Sequence, residues 1–133
     1  MGEGIAATSR FWLGAGAANG LMAVAMGAFA AHGLKDRLSA EALGWMKTAS
    51  DYQMWHGLVL LAIAAMARPA PSGPLRLAAI SLLLGILLFS GSLYLLALTD
   101  WRVLAAITPF GGAALLIGWG LLLWHSLRRS RSP

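Results

Sequence analysis

Cysteine is absent from this chain of 133 residues, which removes disulfides, thiolate metal ligands and cysteine nucleophiles together. Charge is scarce as well. Asp, Glu, Lys and Arg make up 11% of the residues, against about 25% in an average soluble domain, so a water-soluble globule is a poor fit. Also missing are an HExxH pair, a phosphate-cradling glycine loop, a nucleophile elbow and a carboxylate pair. No enzyme, metal or cofactor is therefore expected. The ten basic residues outnumber the five acidic ones but stand apart at the ends of apolar runs, so nucleic acid is not an expected partner.

What the chain has in quantity is apolar length: 59% of residues are hydrophobic, and the mean hydropathy is +0.71. Residues 11–31 carry no formal charge, and three further apolar runs follow at 51–67, 75–98 and 103–127. A hydrocarbon core of about 30 Å needs about 20 helical residues, so each run reads as a membrane span. Four spans leave only short connections and tails, and one membrane domain over residues 1–133 is expected. The predicted fold is an all-α, four-helix antiparallel bundle. Arg10 before an apolar run resembles a secretory signal, but the run exceeds the usual signal length of about 7–15 residues, so an uncleaved first helix is expected.

Between spans one and two, Ser39 is placed to cap a helix with Glu41 in its first turn, and Leu43 and Met46 give that helix an apolar side. A short interfacial helix running into span two is the reading. Pro69, Pro71 and Pro74 stop span two and make a rigid turn. The Thr99-Asp100-Trp101-Arg102 link is short enough to make spans three and four a hairpin, and Thr108-Pro109 with Gly111-Gly112 predicts a kink early in span four. The side holding both termini carries Arg10, Arg68, Arg76, Arg128, Arg129 and Arg131, and the other side carries Lys35, Arg37, Lys47 and Arg102. The positive-inside tendency then places both termini in the cytoplasm. Trp12 and Trp124 at one interface, and Trp45 and Trp101 at the other, match an aromatic belt.

Threaded up and down, the spans gather polar residues in the leaflet away from the termini. His32 ends span one there, Tyr52, Gln53 and His56 begin span two, Ser90, Ser92 and Tyr94 come late in span three, and Thr108 comes early in span four. Hydrocarbon cannot bond these groups, so they must meet one another, water or a ligand. Clamps between helices are the favoured reading, and a binding or proton-handling site is the other. Two histidines, His32 and His56, underdetermine a metal site. Gly16 and Gly20 form a GxxxG, with Gly27 near the same face; close packing inside the bundle is favoured over self-association. Asn19 lies mid-span and needs a protein partner.

Four segments carry a resemblance: Gly27-Ala28-Phe29-Ala30-Ala31-His32-Gly33-Leu34, Tyr52-Gln53-Met54-Trp55-His56, Leu88-Phe89-Ser90-Gly91-Ser92-Leu93-Tyr94, and Ile107-Thr108-Pro109-Phe110-Gly111-Gly112. In this order and spacing they resemble the YgdD-like family, domain-of-unknown-function family 423, whose eukaryotic relatives are called transmembrane protein 256. The resemblance covers residues 10–124 and implies a small four-helix protein of the bacterial inner membrane, with no activity attached. Ala30 stands where the family pattern has glycine, and Asp51 is not part of that pattern. The favoured function is an accessory membrane protein whose polar cluster clamps the bundle or contacts lipid or a partner; a small-molecule or proton-coupled carrier acting as an oligomer is the alternative, and an enzyme acting on a lipid comes third. The expected partners are the bilayer and either a second copy or a larger membrane complex.

Overall fold

The computed structural model describes residues 2–66 and 73–129, leaving out the side chains of residues 2–8 and 129. Arg68, the Pro69 and Pro71 part of the expected turn, and the tail from Ser130 lie outside the described residues. Among those described, the elements are four α-helices: α1 (Gly2–Ala28), α2 (Ala40–Met66), α3 (Gly73–Thr99) and α4 (Thr108–Arg129). A π-helical turn, Phe29–Gly33, extends α1, and a 3-10 turn, Arg102–Ala106, precedes α4.

Local chemistry sets these boundaries. The Ser39 Oγ accepts from the Ala42 N–H at 3.1 Å, so the serine caps α2. The segment expected as a short helix running into span two is the first part of α2, which continues unbroken to Met66. Nothing between Ala40 and Asp51 breaks the helical ladder, since Gly44 is only one weak position among helix formers. At the other turn, α3 ends where Asp100 adopts φ 52°, a left-handed conformation that a short polar side chain tolerates. The α-helix of span four starts at Thr108 rather than Val103. Pro109 is the cause: it lacks an N–H and disfavours helix in the preceding residue, so it fits only in a first turn. The expected kink is thus a 3-10 to α junction at the head of α4.

Among the described residues, three stretches are long and apolar enough to cross a membrane: Ser9–Gly33, Gly73–Thr99 and Arg102–Arg128. Leu21, Phe110 and Leu116 are 74%, 71% and 75% exposed, which water would penalise and lipid would not. Neighbours in sequence are neighbours in space: α2 packs on α1 and α3, and α3 packs on α2 and α4. The arrangement is an open row rather than a closed square. About 44% of the apolar stretch of α3 is buried, against 17% in α1 and in the last stretch, so the middle of the row carries the core.

The core comes in two apolar halves. Toward the termini, Trp12, Leu60, Ile63, Leu75, Leu82 and Leu115 cluster. Toward the opposite, distal end, Met46, Ala49, Leu93, Leu96 and Leu104 do the same. Trp12, expected at the lipid interface, is only 4% exposed: the small Ala64 and Ala79 leave room for its indole inside the first half. Close helix approach relies on glycine at the seams. A Cβ on Gly16 would stand 2.7 Å from Leu61 Cδ2 and 2.9 Å from the Gly57 carbonyl oxygen, which fixes α1 against α2. A Cβ on Gly85 would lie 2.9 Å from the Leu115 backbone nitrogen, and Gly111 faces the Phe89 backbone even more tightly, so α3 and α4 touch backbone to backbone. At the distal end, Arg102 lies over the Trp45 ring at 5.3 Å and its Nε meets Asp100 Oδ1 at 3.0 Å, tying the α3–α4 turn to α2.

Candidate functional site

Between the two apolar halves runs a polar layer. Its centre is Gln53, at the midpoint of the 27-residue α2 and 8% exposed. The Tyr94 hydroxyl of α3 donates to Gln53 Oε1 at 2.8 Å, and Gln53 Nε2 donates to Asn19 Oδ1 of α1 at 3.0 Å. Asn19 Nδ2 then donates to the Ala15 carbonyl at 2.8 Å. One chain of hydrogen bonds therefore crosses three helices, and each amide contributes both its oxygen and its nitrogen. This is the arrangement a low-dielectric interior demands, because every unmet polar group there costs about 1–3 kcal/mol.

Two smaller pairs tie in α4. The Ser92 and Thr108 hydroxyls lie 2.8 Å apart and join α3 to the head of α4. Trp119 Nε1 donates to His56 Nε2 at 3.1 Å, joining α4 to α2. His56 Nδ1 stands 2.6 Å from the Tyr52 carbonyl, which can only accept, so Nδ1 carries the proton. That pair of contacts fixes one neutral tautomer with both ring nitrogens satisfied.

Around the His56–Trp119 bridge lies a recess of about 630 Å³ between α2 and α4. Tyr52, Trp55, Phe89, Pro109 and Trp119 line it, and Tyr52 stacks on Phe89 with ring centroids 4.5 Å apart. Its walls are mostly aromatic and aliphatic, and none of the residues lining it carries a carboxylate or a basic chain besides His56, so it suits an apolar chain or a flat ring rather than an ion.

Of the polar residues expected to converge, Gln53 and Tyr94 share one network, Ser92 and Thr108 share another, and Tyr52 and His56 sit at the recess. His32 is exposed beyond α1 and joins none of these groups; His32 and His56 are not brought together. Ser90 is buried at 1% exposure, and its Oγ has no hydrogen-bond partner among the described residues. The cluster sits at the middle height of α2 rather than in its first turn, because α2 begins at Ala40 and not at Asp51. Gly16 and Gly27 face α2, where a Cβ on Gly16 would run into Leu61 and one on Gly27 would lie 3.7 Å from Ser50 Oγ; a Cβ on Gly20 would meet nothing within 4 Å, although one on Gly57 would lie 3.5 Å from the Gly20 nitrogen. Asn19, read as a packing residue, is a full member of the polar chain. Trp119 went unnoticed in the sequence, although a tryptophan in mid-span, away from either interface, needs a partner for its N–H.

A family model described as "Protein of unknown function (DUF423)" matches residues 26–112. A UPF0382 membrane protein of Staphylococcus saprophyticus is 48% identical over 108 residues, covering 81% of this chain and 89% of the relative. The UPF0382 inner membrane protein YgdD of Escherichia coli strain K12 is 42% identical over 124 residues, covering 93% and 95%. A UPF0382 membrane protein of Haemophilus influenzae is 48% identical over 112 residues, covering 84% and 90%. No solved structure matches the chain. A row of long apolar helices, one family model across most of the length and near full-length membrane relatives agree: the chain belongs to the DUF423 family and is a membrane protein.

Proposed function

We propose that the protein is a non-enzymatic accessory component of the bacterial inner membrane, whose polar layer clamps the helices into a fixed scaffold. The observation that carries this reading is the Tyr94–Gln53–Asn19 chain, in which the groups that a carrier would offer to cargo are bonded to one another. Among the described residues no carboxylate hydrogen-bonds within that chain: Asp51 is paired instead with Lys47, one turn nearer the distal end, at 2.7 Å. A proton relay through the bundle normally uses an acidic side chain at depth, which weighs against the carrier alternative.

In this reading α2 is a fourth span. Its first half is too polar to count as a membrane segment, yet Ser50, Gln53 and His56 turn inward and leave Trp55, Leu58 and Met66 toward lipid. Both termini then share the cytoplasmic side, where Arg10, Arg76 and Arg128 stand, and residues 40–50 lie near the opposite headgroups.

Unfolding of the purified chain in detergent tests the clamp. Gln53→Leu strands the Tyr94 hydroxyl and Asn19 Oδ1 together, and a loss of about 2 kcal/mol is expected. A Gln53→Leu chain as stable as the parent would remove the basis for the clamp. Loss of a transmembrane flux at unchanged stability would favour the carrier instead.

A further inference from the structure

The motif from Gly27 to Leu34 takes no part in the polar layer, yet it forms one wall of a separate cleft. This cleft, about 400 Å³, opens between the end of α1 and the first half of α2. Gly27, Ala30 and Ala31 make its apolar wall, and Lys35, Lys47 and Asp51 stand at its rim. We propose that it binds an anionic phospholipid, with Lys35 and Lys47 holding the phosphodiester and the small-residue wall taking the glycerol end of the acyl chains.

Sequence explains the space. Along the cleft the end of α1 presents Gly27, Ala30 and Ala31, whose small side chains leave the space beside α2 unfilled. The π-helical turn, closed by the Leu34 N–H donating to the Phe29 carbonyl at 3.0 Å, widens the helix there and sets both alanines on the cleft. Such widened turns recur at functional sites.

Charge selects the occupant. Two lysines and one aspartate give the rim a net charge of +1. Asp51 is engaged by Lys47 at 2.7 Å, and among the described residues Lys35 has no ion-pair partner. A single phosphodiester charge balances the site. A zwitterionic headgroup would bring its ammonium toward two lysines with the carboxylate already taken, so the choline and ethanolamine lipids fit less well. Position agrees: here the apolar run of α1 gives way to Lys35-Asp36-Arg37, the height at which basic side chains meet headgroups. The site is distinct from the Asn19–Gln53–Tyr94 chain, so its failure would leave the scaffold reading standing.

The full-length protein in detergent, titrated with phosphatidylglycerol or phosphatidylcholine of the same acyl chains and read by native mass spectrometry, tests this. A preference of about tenfold for phosphatidylglycerol is expected, falling with added salt. Lys35→Gln with Lys47→Gln should abolish it, and Ala31→Leu, which fills the cleft without changing charge, should weaken it at unchanged melting temperature. Arg76→Gln, at the other end of the bundle, should keep it. Equal retention of the two lipids, a preference that survives the lysine changes, or its loss in Arg76→Gln would each overturn the proposal. Displacement of the lipid by millimolar inorganic phosphate would do so too, because the cleft would then be a site for free anions.

Discussion

A single amide decides how the polar layer behaves. Gln53 is bonded to both α1 and α3 through its side chain, donating with one end and accepting with the other. A double-mutant cycle between Gln53→Leu and Tyr94→Phe should therefore show a coupling of about 0.6–1.7 kcal/mol in chemical or thermal unfolding, the range for hydrogen bonds between membrane helices. The His56 bridge is more local. Trp119→Phe keeps an aromatic wall for the recess but removes the N–H that His56 accepts, and it should cost about 1 kcal/mol of stability. Restoring the parent stability by adding His56→Leu to Trp119→Phe would identify the stranded ring nitrogen as the source of that cost. Sequence spacing put Gln53 and His56 on one face of a helix. It did not reveal that their partners differ, one inward toward Asn19 and one outward toward Trp119, because that depends on how α2 is rotated between its neighbours.

At the scale of helices, glycine separates seams from surfaces. Gly85 and Gly111 lie where α3 and α4 meet backbone to backbone, while a Cβ on Gly14 or Gly120 would meet nothing within 4 Å. Gly111→Ala is expected to force the hairpin apart and lower stability by about 2–3 kcal/mol, as overpacking of a tight contact does. Gly14→Ala should leave the unfolding midpoint unchanged or raise it slightly, since alanine is the better helix former. Equal effects of the two changes on the midpoint would show that α3 and α4 do not approach as described. Helix ends were largely legible beforehand, with Ser39 as a cap and Pro109 as a break. That residues 40–50 run on into span two was legible too, but not whether they do so without a bend, because a polar, one-sided segment next to an apolar run looks the same either way.

For the molecule as a whole, the open row of helices has consequences that no element shows alone. With α1 packed chiefly on α2 and α4 chiefly on α3, their outer faces remain apolar, as Leu21 and Leu116 show, which a bilayer tolerates and water does not. Crossing number and orientation can be read directly, since the chain has no cysteine of its own to interfere. Single cysteines replacing Lys35 or Asp100 should react with an impermeant maleimide added outside intact cells, and those replacing Arg10 or Arg128 only after permeabilisation. Labelling of Arg10→Cys and Lys35→Cys from the same side would eliminate the four-span arrangement. The sequence alone determined that the chain lives in a membrane and that it turns before Ala40 and after Thr99, because apolar length and turn chemistry are properties of consecutive residues. Only the tertiary structure decided which polar groups bond to which, that Trp12 lies inside, and that a charged cleft opens beside α1, because each depends on helix rotation and on atoms far apart in the chain.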